Sequence, residues 1–296
     1  MAYYSGSVTD FAGLRQALVD TLTGNHGWSW DSGNAELSKG AVIIRLTFDT
    51  LRLTASARVT TGSDTGASGN CHVGRIGPAP VYDFVWPVLY RLFVSASPDE
   101  VFLVVNHSVD IYQWLAFGQS AISLPGSGVW LGASLLAIVS NIDNGISIEP
   151  TGAVGSATNP SLFSSPNTSD FNNGNSYVDH GITSAFGGNW VLGQGIGWRT
   201  LLYTQPNTWN SEAILLPLRA WILLPENKIA CVAELKTARH IRVDNYEPGQ
   251  ILTLGSDCWM VFPWYRRNLA ARNGGGSFGA TAHTGTLGWA LRYDGP

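Results

Sequence analysis

Charge is what this chain has least of. Asp, Glu, Lys and Arg make up 13% of its 296 residues, against roughly 25% in an ordinary soluble domain. A general nucleic-acid binder is not expected, because phosphate contact needs clustered Lys and Arg, while the net charge here is -4 and the pI about 5.8. The nearest basic cluster, Arg266 and Arg267 beside Trp264 and Tyr265, is small. Cysteine is scarce as well. Cys71, Cys231 and Cys258 are odd in number and at no metal-ligand spacing, so neither a disulfide framework nor a zinc site is expected, and buried free thiols are. No apolar run approaches the roughly 18 residues of a membrane span. Met1 to Asp10 has neither the basic start nor the apolar core of a secretory leader. A protein that is neither secreted by a signal peptide nor embedded in a bilayer is the expectation, which leaves the sequons at Asn106 and Asn167 without meaning. No solenoid or propeller period is visible.

What the chain does have is apolar and aromatic mass: 45% hydrophobic residues, with 12 tryptophans and 34 glycines. That length and composition can bury a large core without staples. So little charge leaves much neutral surface, and a surface of that kind is expected to be covered by copies of the chain or by partners.

The pattern predicts an α+β protein, mainly antiparallel β. Residues 1–70 read as a helix packed on a small antiparallel meander, and residues 71–296 as a larger β-rich domain with long loops. Phe11, Leu14, Leu18 and Leu22 recur at three- and four-residue steps after a cap at Ser7 or Thr9, and Gly24 and Asn25 end the helix. Gly27 to Trp30, Glu36 to Ser38, Ala41 to Phe48 and Leu51 to Val59 alternate as strands between turn residues. Thr60 to Asn70 is small and polar, a loop at the domain boundary; it lacks the lysine of a phosphate loop.

The organising stretch is Tyr82 to Ser120. Phe84, Trp86, Val88, Tyr90, Leu92 and Val94, then Val101, Leu103, Val105, Val109 and Ile111, keep a period of two. Two long strands meeting at a turn are expected, with Pro98 setting the turn and Asp99 and Glu100 holding its tip in water. His107, Asp110 and Gln113 interrupt the ladder. Leu131 to Val139 fits a short helix or a buried strand equally well. Residues 149–190 turn to Ser, Asn, Gly and Thr with scattered aromatics, too long for an ordinary connection. Beyond them Ala213 to Leu224, with Pro217, suits an edge strand. Ile229 to Leu235 reads as a buried strand, and Ile241 to Val243 as the start of another.

No catalytic, cofactor or metal constellation stands out. Cys258 with His240 or His283 could form a nucleophile pair, but Cys258 lies in an apolar run. Cys71 and His72 are adjacent, so on a strand they point apart and cannot share a metal. Asp99, Glu100, Asp110, Asp143 and Glu149 could supply a glycosidase's two carboxylates, although the first two read as turn solvation. Trp86, Trp114, Trp221, Trp259 and Trp264 lie in strand-like runs, where packing is the ordinary use of an aromatic and sugar stacking the sharper one. Gly274 to Gly279 satisfies GxGxxG only formally, with no strand before it or helix after it.

The run from Tyr246-Glu-Pro-Gly249 to Cys258-Trp-Met-Val-Phe-Pro-Trp-Tyr-Arg266, with the closing stretch His283 to Pro296, resembles a family of virion structural proteins encoded in tailed bacteriophages and prophages. Met1 to Gly6, Leu37-Ser-Lys-Gly40, and Ser97 to Val101 through Tyr112 to Gly118 resemble the same family, so the likeness covers both ends and the middle of the chain. It implies a place in a particle, with no enzymatic motif. A non-enzymatic subunit of the tail or baseplate follows as the expectation, made in the bacterial host cytoplasm and assembled with copies of itself and other virion proteins. The 149–190 arm, through Phe163, Phe171, Tyr177 and Phe186, and the tail, through Trp289 and Tyr293, are the expected subunit contacts. The alternative is a receptor- or carbohydrate-binding module at the tail tip, using exposed tryptophan faces on a host-surface glycan.

Overall fold

The computed structural model describes residues 1–74, 84–108, 111–136, 162–163, 176–182, 190–192, 213–224, 226, 228–243, 245–264 and 287–295. Strand β1 (Ala2–Val8) leads into the helix α1 (Phe11–Asn25), then β2 (Ser29–Asp31), β3 (Glu36–Lys39), β4 (Val42–Phe48), β5 (Arg52–Ala57) and β6 (Cys71–Gly74). The organising stretch supplies β7 (Val88–Ala96), β8 (Asp99–Ser108) and β9 (Ile111–Gln119), followed by β10 (Val129–Ala133), β11 (Leu135–Leu136), β12 (Ser176–Asp179) and β13 (Trp190–Leu192). The last strands are β14 (Leu216–Leu224), β15 (Lys228–Arg242), β16 (Ile251–Leu254), β17 (Asp257–Pro263) and β18 (Leu287–Arg292). They form a seven-stranded sheet β1-β7-β8-β9-β10-β12-β13, a six-stranded sheet β11-β6-β5-β4-β3-β2 and a five-stranded sheet β14-β15-β18-β17-β16. The α+β, mainly antiparallel expectation holds.

The first sheet is covered on both faces, which explains why its strands are apolar on both. Val88, Leu92, Val94, Val101, Leu103, Val105, Leu115 and Phe117 point to one core, shared with the helix stripe Phe11, Leu14, Leu18 and Leu22 and with Leu37, Ile44, Leu46 and Leu53 of the second sheet. The alternate residues Phe93, Phe102, Val104, Trp114 and Ala116 point to a second core, closed by Leu218, Ile222, Val232, Phe262 and Trp289 of the third sheet. A period-two ladder between two apolar layers is what such a central sheet requires. The second sheet draws β6 and β11 from beyond residue 70, while β1 pairs with β7 in the first sheet.

Several local expectations change. The cap of α1 is Asp10, whose Oδ1 accepts from the Gly13 N–H at 2.6 Å. Phe84 and Trp86 precede β7 rather than extending it, and they meet Phe11 tilted and edge-on, with centroids at 4.9 and 5.0 Å. The stretch forms three strands, β7, β8 and β9, with Pro98 in the first connection. Residues 129–133 settle as strand β10, and β14 takes the sheet edge that Pro217 suggested.

The largest correction concerns Glu100. It does not solvate a turn; it is fully buried and accepts from the Lys236 N–H at 2.7 Å, the Thr237 N–H at 2.9 Å and the Thr237 hydroxyl. The donors come from a bulge in β15: between the pairs Pro217↔Arg239 and Arg219↔Glu234, Leu218 alone faces Leu235, Lys236, Thr237 and Ala238. Ile229 to Leu235 and Ile241 to Val243, read as two strands, therefore belong to one fifteen-residue strand carrying this bulge. Lys236 adds a bond from Nζ to the Ser97 carbonyl at 2.9 Å. The contact welds the first sheet to the third. Burial holds the Glu100 carboxyl above its usual range, opposed by the three donated hydrogen bonds and by Arg239. Glu100→Gln keeps the shape but turns an amide donor toward one of these N–H groups, and it is expected to cost about 1–3 kcal/mol in urea unfolding. An unchanged midpoint would show that this contact does not hold the two sheets together.

Candidate assembly surface

Most of the described residues with reactive side chains are engaged within the fold. Cys71 is buried and its thiol is pushed well up by desolvation, whereas Cys231 and Cys258 are half-buried, not buried as expected. His72 shares a hydrogen bond with the Thr54 hydroxyl at 2.8 Å and is lowered to about 4 by burial. His240 is lowered to about 4 for the same reason and sits edge-on to Trp264 at 5.8 Å. Gln113 brackets the Gly74 backbone, accepting from its N–H at 2.8 Å and donating to its carbonyl at 2.7 Å. The polar interruptions His107 and Gln113 thus serve as internal ties, with His107 stacked on Phe84 at 4.3 Å and 9°. Asp99 pairs with Lys39 at 2.7 Å. Among the described residues no three His, Cys, Asp or Glu side chains converge as metal ligands. No described helix is long and apolar enough to cross a membrane. Asp110, Asp143, Glu149, His283, Arg266, Arg267 and Gly274 to Gly279 lie outside the described residues.

The aromatics expected at subunit contacts are placed differently from one another. Phe163 is buried in the second core against Trp130, with centroids at 5.7 Å. Tyr177 is buried on β12 beside the first core. Trp289 on β18 is fully buried among Phe102, Trp114 and Trp264. Those three rings are occupied within the chain's own cores. Tyr293 is half-buried and meets Tyr3 edge-on at 5.2 Å, at the start of β1. Phe171 and Phe186, with most of the 149–190 arm, lie outside the described residues.

An open surface exists instead along β1. It pairs with β7 in the unbroken register Ala2↔Val94 to Val8↔Val88, and no described residue hydrogen-bonds its other side. Tyr4 and Val8 pack on the first core and Tyr3 on the second, while Ser5 and Ser7 are exposed. Sheet edges are ordinarily blunted by proline, charge or shortness. Here β14 carries Pro217 and Arg219, β2 ends in Asp31, and β11, β13 and β16 have 2, 3 and 4 residues. By contrast β1 runs 7 residues, AYYSGSV, with none of these devices.

The neighbouring strand widens the surface. Tyr3, Ser5, Gly6 and Ser7, with Leu89, Tyr90 and Arg91, line an open concavity of about 360 Å³. Leu89 is 51% exposed and Val85, just before β7, 70%. The Arg91 guanidinium lies 5.5 Å from the Phe262 ring centre, and the buried Arg91 Nη1 has no hydrogen-bond partner among the described residues. Gly6 matters here because the Tyr90 ring crosses over it. A Cβ at that position would fall 2.8 Å from the Tyr90 oxygen, so only glycine lets the ring reach the sheet edge. The composition of this stretch was legible in sequence, but its position at an edge was not. No family model matches this chain, and no curated protein is similar to it.

Proposed function

We propose that this chain is a non-enzymatic structural subunit of a tailed-phage particle, in its tail or baseplate, that works by assembling in multiple copies with itself and neighbouring virion proteins. The observation that carries the reading is the long, uncharged, open edge of β1 on a chain with 13% charged residues. Such an edge offers a row of unpaired backbone donors and acceptors, the natural template for another chain. The likeness of Tyr246 to Arg266, His283 to Pro296 and Met1 to Gly6 to virion structural proteins supplies the setting, so the virion is its proposed location. Antibody labelling of purified particles, with light scattering of the isolated protein across a concentration series, tests it. Labelled particles and concentration-dependent oligomers are expected; a protein missing from particles and monomeric throughout overturns it.

A tail-tip glycan binder is the second reading, favoured by one patch. Arg15 lies 5.5 Å from the centroid of the half-exposed Trp30 and 4.6 Å from that of Phe48, which is 41% exposed. Saturable binding on a glycan array, abolished by Trp30→Ala, would select it.

A further inference from the structure

We infer that the partner of β1 is β1 of a second copy, paired antiparallel about a twofold axis at Ser5, so that two seven-stranded sheets become one continuous sheet. The inference rests on the assembly reading above and names its contact. Three features of the strand lead to it.

The first is chemical. Alternate N–H and C=O groups of Ala2–Val8 point away from β7 with no described partner, and an extended strand is the element that satisfies such a row. The second is electrostatic. Each copy carries a net charge of -4, yet β1 carries no charge, so this edge is a place where two copies meet without direct like-charge contact. Ser5 and Arg91 are cross-strand neighbours. The two Arg91 side chains would therefore stand three strand spacings apart, roughly 14 Å, beyond the screening length of about 8 Å at physiological salt.

The third feature is shape. Ser5 is the midpoint of Ala2–Val8, so an axis there uses every residue of the strand. Tyr3 then falls opposite the partner's Ser7 and Tyr4 opposite the partner's Gly6, a large side chain against a small one on each face. On one face the Tyr3 ring meets the partner's exposed Leu89, which neighbours Ser7 in register. On the other, Tyr4 meets the ring of the partner's Tyr90 lying across Gly6. An axis at Gly6 would bring both Tyr90 rings together at the centre. An axis at Tyr4 would set tyrosine against tyrosine and carry Ser7 and Val8 past the end of the partner's Ala2–Val8. An edge of this length buries less than the roughly 1,200 Å² of a standard stable complex, so the pair is reversible in solution and is reinforced where other contacts hold the copies together.

The test is register-specific cross-linking of the full chain with Cys231 and Cys258 replaced by serine. Ser5→Cys places two thiols across the axis, and mild oxidation is expected to shift the protein from monomer to dimer on a non-reducing gel. Ser7→Cys, equally exposed, should remain monomer, because its partner thiol lies four residues away along the strand, roughly 14 Å and outside disulfide reach. Equal cross-linking of the two variants overturns the register. A Ser5→Cys protein that resists oxidation, while light scattering shows oligomers, overturns the β1 pairing and leaves the assembly reading intact. Monomers in both measurements overturn both.

Discussion

Acidification from pH 7 to pH 4 is expected to remove on the order of 5 kcal/mol from the stability of this fold, chiefly through His72 and His107. Both rings are almost wholly buried, and burial lowers each from 6.5 to about 4. A histidine depressed in this way binds fewer protons in the folded chain than in the unfolded one between about pH 6.5 and 4, so each step down that window favours unfolding. Above 6.5 both states are neutral and the contribution is complete. At about 1.4 kcal/mol per pH unit, each ring accounts for roughly 3 kcal/mol. His240 is lowered too but keeps some accessible surface, and it adds less. Glu100 works in the opposite direction. Its carboxyl is raised in the fold, so its contribution is complete below the ordinary value of 4.5 and is lost as pH rises through the folded value. The histidines outnumber it, and the net slope falls toward acid.

Geometry adds to desolvation at His107. The Gln113 amide is fixed by its two bonds to Gly74, which leaves its nitrogen as the donor toward His107 Nε2 at 3.4 Å. The ring nitrogen there has to accept, so a proton on it would set donor against donor. Urea midpoints followed by tryptophan fluorescence from pH 7 to 4 measure the slope. His107→Phe, which preserves the stack on Phe84, should flatten it by about half. A flat profile in the parent protein would show that both rings are hydrated.

What was legible in the sequence is local and periodic. The stripe Phe11, Leu14, Leu18 and Leu22 and the alternation through Val88 to Val105 each report a face that meets one core, and the structure places them there. Non-local facts were not legible. Glu100 follows Pro98 and Asp99 in what reads as a turn tip, and only the bulge at Lys236 and Thr237, more than a hundred residues on, makes it an internal ligand. The same two polar residues break the apolar run of β15, which is why one strand reads as two. Strand order is likewise a property of the assembled sheet: Ala2–Val8 is recognisably extended, but nothing near it in sequence says that it has a neighbour on only one side. Aromatic richness near the end of the chain suggested outward contacts, because composition carries no direction. Period two on β18 sends Trp289 inward, to the face shared with Leu291.

That inward direction gives Trp289→Ala an effect an interface residue would not have. Trp289 is fully buried, with Trp264 at 4.5 Å, Trp114 at 5.4 Å and Phe102 at 5.6 Å between ring centres, so truncation empties the middle of the core between the first and third sheets. A loss of about 3–5 kcal/mol is expected, the range for removing a core aromatic. It should be read as a lower urea midpoint of the monomer, with the concentration dependence of any oligomer unchanged while the protein stays folded. Trp289→Phe should lose much less than its area suggests. The buried Trp289 Nε1 has no hydrogen-bond partner among the described residues, and an unmet buried donor of this kind costs about 1–3 kcal/mol, a penalty the phenyl ring lacks. The two substitutions together separate ring volume from indole polarity. A Trp289→Ala protein that unfolds like the parent but no longer associates would instead put this ring at a contact between copies.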